Sequence, residues 1–276
     1  MYKLENEFAK VEISNHAAEI VSFLDKSTNS ERMYQPLEGF WQGRNPILFP
    51  QVSSTEDQKY YIGEKEYTMG NHGFVRNAEF KLDKATDTQV TLYFEDNEET
   101  LKQYPYHFRL SVTYCLEGKK LLIKYQILNK SSEVMSFGFG LHPAFKVPVF
   151  ENEVYEDYHI DFTKKEEITT LESDYVLNNQ VNLSRAMFQK LPTLFFKNLK
   201  SEVVELKCNN YGVRIGIKNF PILAVWTPND APFVCIEPWM TEPVKNPESK
   251  HLENRKDNIK LAANDTYLQE YFIELI

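Results

Sequence analysis

Glu237 stands at the end of an otherwise apolar run, Phe233-Val234-Cys235-Ile236, and Pro238 follows it at once. Proline cannot donate to a strand ladder, so the strand ends or lies at an edge there, where a carboxylate can meet a ligand. A period of two puts Phe233, Cys235 and Glu237 on one face. Apolar neighbours disfavour the ionised carboxylate and raise its pKa, which suits a general base near neutral pH. A glutamate at a sheet edge can equally pair with a lysine or arginine. His142 precedes Pro143, which biases its backbone toward extended conformations and limits where the ring can point. A fixed imidazole, with an unperturbed pKa of about 6.5, can hold and release a proton at cellular pH, though it can also be satisfied by backbone carbonyls under a loop. His72 lies between Asn71 and Gly73, and Arg44 precedes Asn45-Pro46, so both fall in turn-prone stretches that can share one rim. Arginine offers five fixed donors and keeps its charge, which suits holding hydroxyl or carboxylate oxygens. For Arg44 and Arg76 a surface salt bridge is the competing role.

His16, His107, His159 and His251 stand alone among polar or strand residues and are read as surface or structural. No metal is expected, because His72, His142 and Glu237 are far apart in sequence and no compact ligand motif such as H-E-x-x-H is present. G-x-S-x-G, the P-loop and G-x-G-x-x-G are likewise missing, so serine hydrolysis, nucleotide hydrolysis and dinucleotide redox chemistry lose their usual markers. Trp226, inside Leu223-Ala224-Val225-Trp226, either stacks on the apolar face of a sugar ring or packs in the core; Phe74 and Trp239 are expected in the core.

The elements that must carry these residues are strands. Alternation recurs at Ala9, Val11, Ile13; Val90, Leu92, Phe94; Leu110, Val112, Tyr114; Leu121, Ile123, Tyr125, Ile127; Val213, Ile215, Ile217; and Tyr271, Ile273, Leu275. Turn residues such as Glu117-Gly118-Lys119 and Asn209-Asn210-Tyr211-Gly212 separate close strands, which favours antiparallel hairpins. The expected class is all-β, a large antiparallel β-sandwich of two sheets packed face to face, with residues 1–276 forming a single domain. One helix is predicted around Ser184 to Leu191, where Ser184 caps, Leu183, Met187 and Leu191 recur at helical spacing and Pro192 stops the chain.

Composition removes other classes. With 31 Lys plus Arg against 40 Asp plus Glu, the chain lacks the basic footprint of a nucleic-acid binder. The opening residues place Glu5 and Glu7 where a signal peptide has a basic and then an apolar stretch, and no window approaches the roughly 18 apolar residues of a membrane span. Cys115, Cys208 and Cys235 are odd in number and widely spaced, as expected of reduced thiols, so a cytoplasmic location and no membrane association are expected.

The ordered set of Arg44 with Asn45-Pro46, His72-Gly73-Phe74, Tyr104-Pro105-Tyr106, His142-Pro143 and Glu237-Pro238-Trp239 resembles the aldose 1-epimerase (galactose mutarotase) family. The resemblance runs over essentially the whole chain and is closest to the shorter bacterial branch. It implies the large mutarotase-like β-sandwich with an open cleft, a small-molecule sugar substrate and no cofactor. It also implies that Glu237 is the general base and His142 the general acid, while His72 and Arg44 bind and polarise the sugar. The reaction implied is interconversion of the α and β anomers of an aldohexose. Two departures stand out. Where the better-known branch has a sugar-binding aspartate, this chain reads Leu194-Phe195-Phe196-Lys197-Asn198, which leaves Asn198 as the nearest candidate. Met240-Thr241-Glu242 also follows Trp239 where relatives often place a glycine. Competing expectations are a hexose 6-phosphate epimerase, which needs a basic phosphate pocket, and a non-catalytic carbohydrate-binding protein on the same fold. A glycoside hydrolase or lyase is disfavoured because no second carboxylate stands out as a partner.

Overall fold

The computed structural model of the chain describes residues 1–166, 176–177, 179–228, 230–244 and 250–276. Among the described residues the chain is dominated by antiparallel strands in a ten-stranded, a six-stranded and a four-stranded sheet, with two smaller pairs. The architecture is the all-β sandwich expected from the alternating sequence, and among the described residues no helix is long and apolar enough to cross a membrane.

The ten-stranded sheet follows directly from period-two patterning. Leu110, Val112 and Tyr114 of the strand Phe108–Glu117 face inward, as do Leu121, Ile123, Tyr125 and Ile127 of Lys120–Asn129. The two are paired from Phe108↔Asn129 to Glu117↔Lys120. The connection is only two residues long, and Gly118 takes a left-handed φ of +57° there, a conformation that costs glycine no Cβ clash. The closing strand Thr266–Leu275 inserts beside Lys120–Asn129.

The six-stranded sheet uses shorter strands, ordered Thr193–Lys197, Ile222–Trp226, Phe233–Trp239, Gly140–Leu141 and Ile47–Leu48, with Ala144–Lys146 also pairing to Phe233–Trp239. One face of it, carrying Leu194, Phe196, Leu223, Val225, Val234 and Ile236, joins the same hydrophobic core as the inward residues of the ten-stranded sheet. Burying such a side chain contributes roughly 1.5–3 kcal/mol. The other face carries Ala224, Trp226, Cys235, Glu237 and Trp239.

The helix predicted near Ser184 spans Arg185–Lys190, and the Ser184 hydroxyl accepts the Met187 N–H. A second short helix, Glu98–Gln103, was not expected. Asn97 and Thr100 form a reciprocal capping box there, a signal present in the sequence but obscured by the lack of an apolar stripe. Cys115, Cys208 and Cys235 are all free thiols, the first half-buried and the other two buried.

Candidate active site

Register alone brings the two principal side chains together. Gly140 pairs with Trp239 and Ala144 with Cys235, so residue 142, midway between, falls opposite residue 237. Pro143 has no N–H to give to the ladder, and its carbonyl accepts from the Ile236 N–H. The chain is therefore pinned to the central strand while His142 is left free of strand pairing. Beside Glu237 on the next strand stands Ala224, whose small side chain leaves room over the carboxylate.

His142 Nε2 approaches Glu237 Oε2 to 3.2 Å, off the line of a hydrogen bond. The two are 7% and 1% exposed. His142 Nδ1 and Glu237 Oε2 are buried with no hydrogen-bond partner, an arrangement that costs stability unless a ligand completes it. Burial pushes the Glu237 carboxyl well above its usual range, opposed in part by the Trp239 indole N–H and the Arg76 guanidinium. Burial also pushes the His142 imidazole well below its usual range, with His72 and Arg76 adding to the effect. Both directions favour one state of the pair, a Glu237 carboxyl beside a neutral His142 imidazole, which holds one proton in total.

His72 is fixed by its backbone. It sits at φ +64°, its N–H donates to the Ser53 carbonyl at 3.0 Å, and its Nδ1 accepts the Ser53 N–H at 3.0 Å. With Nδ1 an acceptor, the neutral ring carries its proton on Nε2. Burial, followed by the Arg76 charge, lowers its pKa to about 4, so it is a neutral donor at physiological pH. Gly73 is required by a close approach: a Cβ there would come within 2.2 Å of the Phe49 carbonyl oxygen. The His72 and His142 ring centroids lie 5.6 Å apart.

These groups open into a cleft of about 430 Å³ lined by Trp41, Ser53, Asn71, His72, Arg76, His142, Thr193, Phe195, Trp226, Glu237, Trp239 and Pro243. Trp226 crosses His142 edge-on at 5.6 Å, and Trp41 lies 4.7 Å from the same ring. Trp239, read from sequence as core, is 5% exposed and shows part of its ring to the cleft, where Phe195 packs on it at 5.7 Å.

Two of the residues expected at the site lie outside this cleft. Arg44 does not line this cleft; its backbone N–H is held by Glu19, and its side chain lines an adjoining hollow of about 280 Å³ that shares Trp41 and Arg76 with the cleft. Arg76, in the short 3₁₀ turn Val75–Asn77 after the His72-Gly73-Phe74 turn, is the arginine that reaches both spaces. Asn198 is exposed and left-handed (φ +55°), beyond the end of Thr193–Lys197, and does not line the cleft. Thr193 and Phe195 face the cleft from that strand instead, because Leu194 and Phe196 alternate into the core. Sequence reasoning also missed Trp41. A small-residue signal was available at Gly43, where a Cβ would lie 2.4 Å from the Trp41 ring.

Comparison with known proteins places the whole chain in one family. The family model described as aldose 1-epimerase matches residues 1–273. The chain is 31% identical to the plasmid-encoded protein LacX of Lactococcus lactis subsp. lactis, across 99% of each chain. Among solved structures it is similar to a galactose mutarotase related enzyme from Lactobacillus acidophilus, with a TM-score of 0.90, 29% identity, and coverage of 100% of this chain and 97% of that one. It is also similar to a galactose mutarotase-like protein from Lactobacillus casei, with a TM-score of 0.89, 26% identity and full coverage of both. With the family model matched along nearly the full sequence, the chain belongs to the aldose 1-epimerase family, as a mutarotase-like isomerase.

Proposed function

We propose that the protein interconverts the α and β anomers of an aldohexose, with Glu237 and His142 as the proton-transfer pair. The observation that carries the reading is their approach to 3.2 Å at the floor of an aromatic cleft. Mutarotation moves protons at two oxygens bonded to one carbon, the anomeric hydroxyl and the ring oxygen, so two proton-handling groups side by side match the task. Transfer of the shared proton from the Glu237 carboxyl to His142 across their 3.2 Å contact gives the reactive carboxylate–imidazolium form, in which Glu237 takes the proton from the anomeric hydroxyl as His142 protonates the ring oxygen. The bond from C1 to the ring oxygen breaks and leaves the aldehyde. After half a turn about C1–C2, the freed hydroxyl attacks the other face of the carbonyl. His142 then recovers its proton, and Glu237 returns its own to the new anomeric hydroxyl. The pair ends as it began, and no other reactant is consumed.

His72, as a neutral Nε2 donor, and the Arg76 guanidinium hold and polarise sugar oxygens, while Trp226 and Trp41 offer faces to the ring's C–H side. Acid–base placement of this kind contributes typically ~10²–10⁴-fold. NMR exchange spectroscopy on α- and β-aldoses, with Glu237→Gln as the inactive reference, tests the reading. Failure of the wild type to exceed the buffer rate with any common aldose or its 6-phosphate would sink it.

A second reading of the substrate rests on Arg44 and Arg76. Both line the adjoining hollow, Arg44 Nε is buried without a partner, and the nearby Glu19 carboxylate is engaged by the backbone N–H groups of Arg44 and Asn45. Two guanidinium groups beside the cleft suit an anionic substituent and favour a hexose 6-phosphate over the free sugar. Including 6-phosphates in the same exchange panel decides between them.

A further inference from the structure

Cys235 plays no part in anomer exchange, yet it lies beside the proton-transfer pair. It shares the cleft-side face of Phe233–Trp239 with Glu237, two residues along, and pairs across the sheet with Ala144 and Trp226. One ligand atom each from His142, Cys235 and Glu237 lie within 4.8 Å of one another, and all three residues are buried. A sulfur, a nitrogen and an oxygen on adjacent backbone segments make a donor set, and two features make it a site. Glu237 Oε2 is buried and unpartnered, 3.2 Å from His142 Nε2. His142 and Glu237 also line the cleft, so a fourth coordination position faces solvent.

From this cluster we infer that His142, Cys235 and Glu237 bind a thiophilic divalent cation, of the Zn²⁺ or Co²⁺ class, and that the bound ion arrests anomer exchange. Three protein ligands and one open position are the ligand count of a tetrahedral zinc site with an exchangeable ligand. A thiol selects borderline-soft ions over Mg²⁺ and Ca²⁺. The step balances: the dication replaces the thiol proton and the carboxyl proton, which leave to water, and imidazole binds through a nitrogen lone pair. The buried cluster keeps the net charge of its fully neutral form, so the low-dielectric surroundings that disfavour a lone carboxylate do not oppose the complex. His142 Nε2 and Glu237 Oε2, at 3.2 Å, already sit near the separation of two ligands on one tetrahedral ion. The sulfur needs the larger adjustment.

Metal binding stands on the cluster alone, whereas arrest of turnover rests on the proposed proton-transfer roles, and the test separates the two. The full chain, stripped with chelator, is titrated with Co²⁺ and followed by absorption. The expected result is one equivalent bound with a thiolate-to-cobalt charge-transfer band, displaced by Zn²⁺ and unaffected by excess Mg²⁺. In Cys235→Ala the band is expected to vanish and affinity to fall at least about tenfold, with Cys235→Ser as the replacement should the alanine variant fail to fold. Saturating Zn²⁺ is expected to cut wild-type exchange at least about tenfold, reversibly with EDTA, while Cys235→Ala retains turnover and resists the ion. Absence of the band in the wild type, or its persistence in Cys235→Ala, overturns the site. Stoichiometric binding with undiminished exchange overturns the arrest alone.

Discussion

Glutamates stand on both main sheets, in opposite circumstances. On the outer face of the ten-stranded sheet, polar groups find each other. Thr91 and Thr113 hydroxyls meet at 2.9 Å, Lys207 reaches Asp161 at 2.6 Å and Glu205 at 2.9 Å, and Arg214 Nε meets Glu205 at 2.7 Å. On the cleft face of the six-stranded sheet, Glu237 and His142 are buried with atoms left unpartnered. Water and cross-strand partners cover the first set at little cost or gain, whereas the second is held in an arrangement that a ligand's hydroxyls complete. The difference separates residues that keep a sheet soluble from residues that keep a site ready.

The largest effect that tests this contrast is Glu237→Gln. Exchange is expected to fall ~10²–10⁴-fold, equivalent to ~3–5 kcal/mol on the barrier, because the amide can neither accept nor return the proton. Stability is expected to move the other way. The folded-state pKa of Glu237 is raised above its unfolded value, so its contribution is fully present below the unfolded pKa and is lost as pH rises through the folded one. At neutral pH the glutamine, which mimics the neutral carboxyl, should melt no lower than wild type. A clear drop in Tm with folded-state turnover intact would break the comparison.

Next comes a core position on the other sheet. Ile123, fully buried on Lys120–Asn129, is expected to cost 2–5 kcal/mol as alanine, read by urea unfolding, without changing turnover of the folded fraction. Loss of turnover beyond the unfolded fraction would mean that the long strands tune the site as well as support it.

A smaller and more specific effect concerns pH. Because burial raises Glu237 and lowers His142, the pair holds one proton, on Glu237, across the interval between the lowered imidazole and the raised carboxyl. Exchange should therefore show a broad plateau, with an acid limb where a second proton enters and an alkaline limb where the last one leaves. The Arg76 charge lowers both values, so Arg76→Met is expected to shift both limbs to higher pH, measured as kcat/KM profiles. Limbs that move in opposite directions would remove Arg76 from the electrostatics of the pair.

How far the sequence revealed this follows the same divide. The long strands were legible because each alternates against solvent, as Leu121, Ile123 and Tyr125 do. Glu237 and His142 were legible because a proline after each marks a rigid break beside a strand. Their contact was not, since it depends on the register that places residue 142 opposite 237. Arg44 and Arg76 look alike in sequence, and only the Val75–Asn77 turn decides which reaches the cleft. Asn198 is where the family pattern points, but strand alternation gives the cleft to Thr193 and Phe195. Trp41 has only the nearby Gly43 as a local sign and Ser53 has none, because what makes them walls is the chain on the far side.

The smallest expected effect places the same chemical change on the outer sheet. Glu270 pairs across the strands with Lys124, their charged atoms 4.0 Å apart and their side chains 66% and 57% exposed. At that exposure water screens both charges, and ordering two long side chains offsets much of what attraction remains. Glu270→Gln is therefore expected to change stability by no more than about 0.5 kcal/mol, with Lys124→Gln similar and the coupling in a double-mutant cycle within the same bound. Turnover should be unchanged and any residual coupling should fade with added salt. A coupling above about 1 kcal/mol would show that the outer ladder is a structural network. Glu237→Gln and Glu270→Gln would then no longer separate a site from a scaffold.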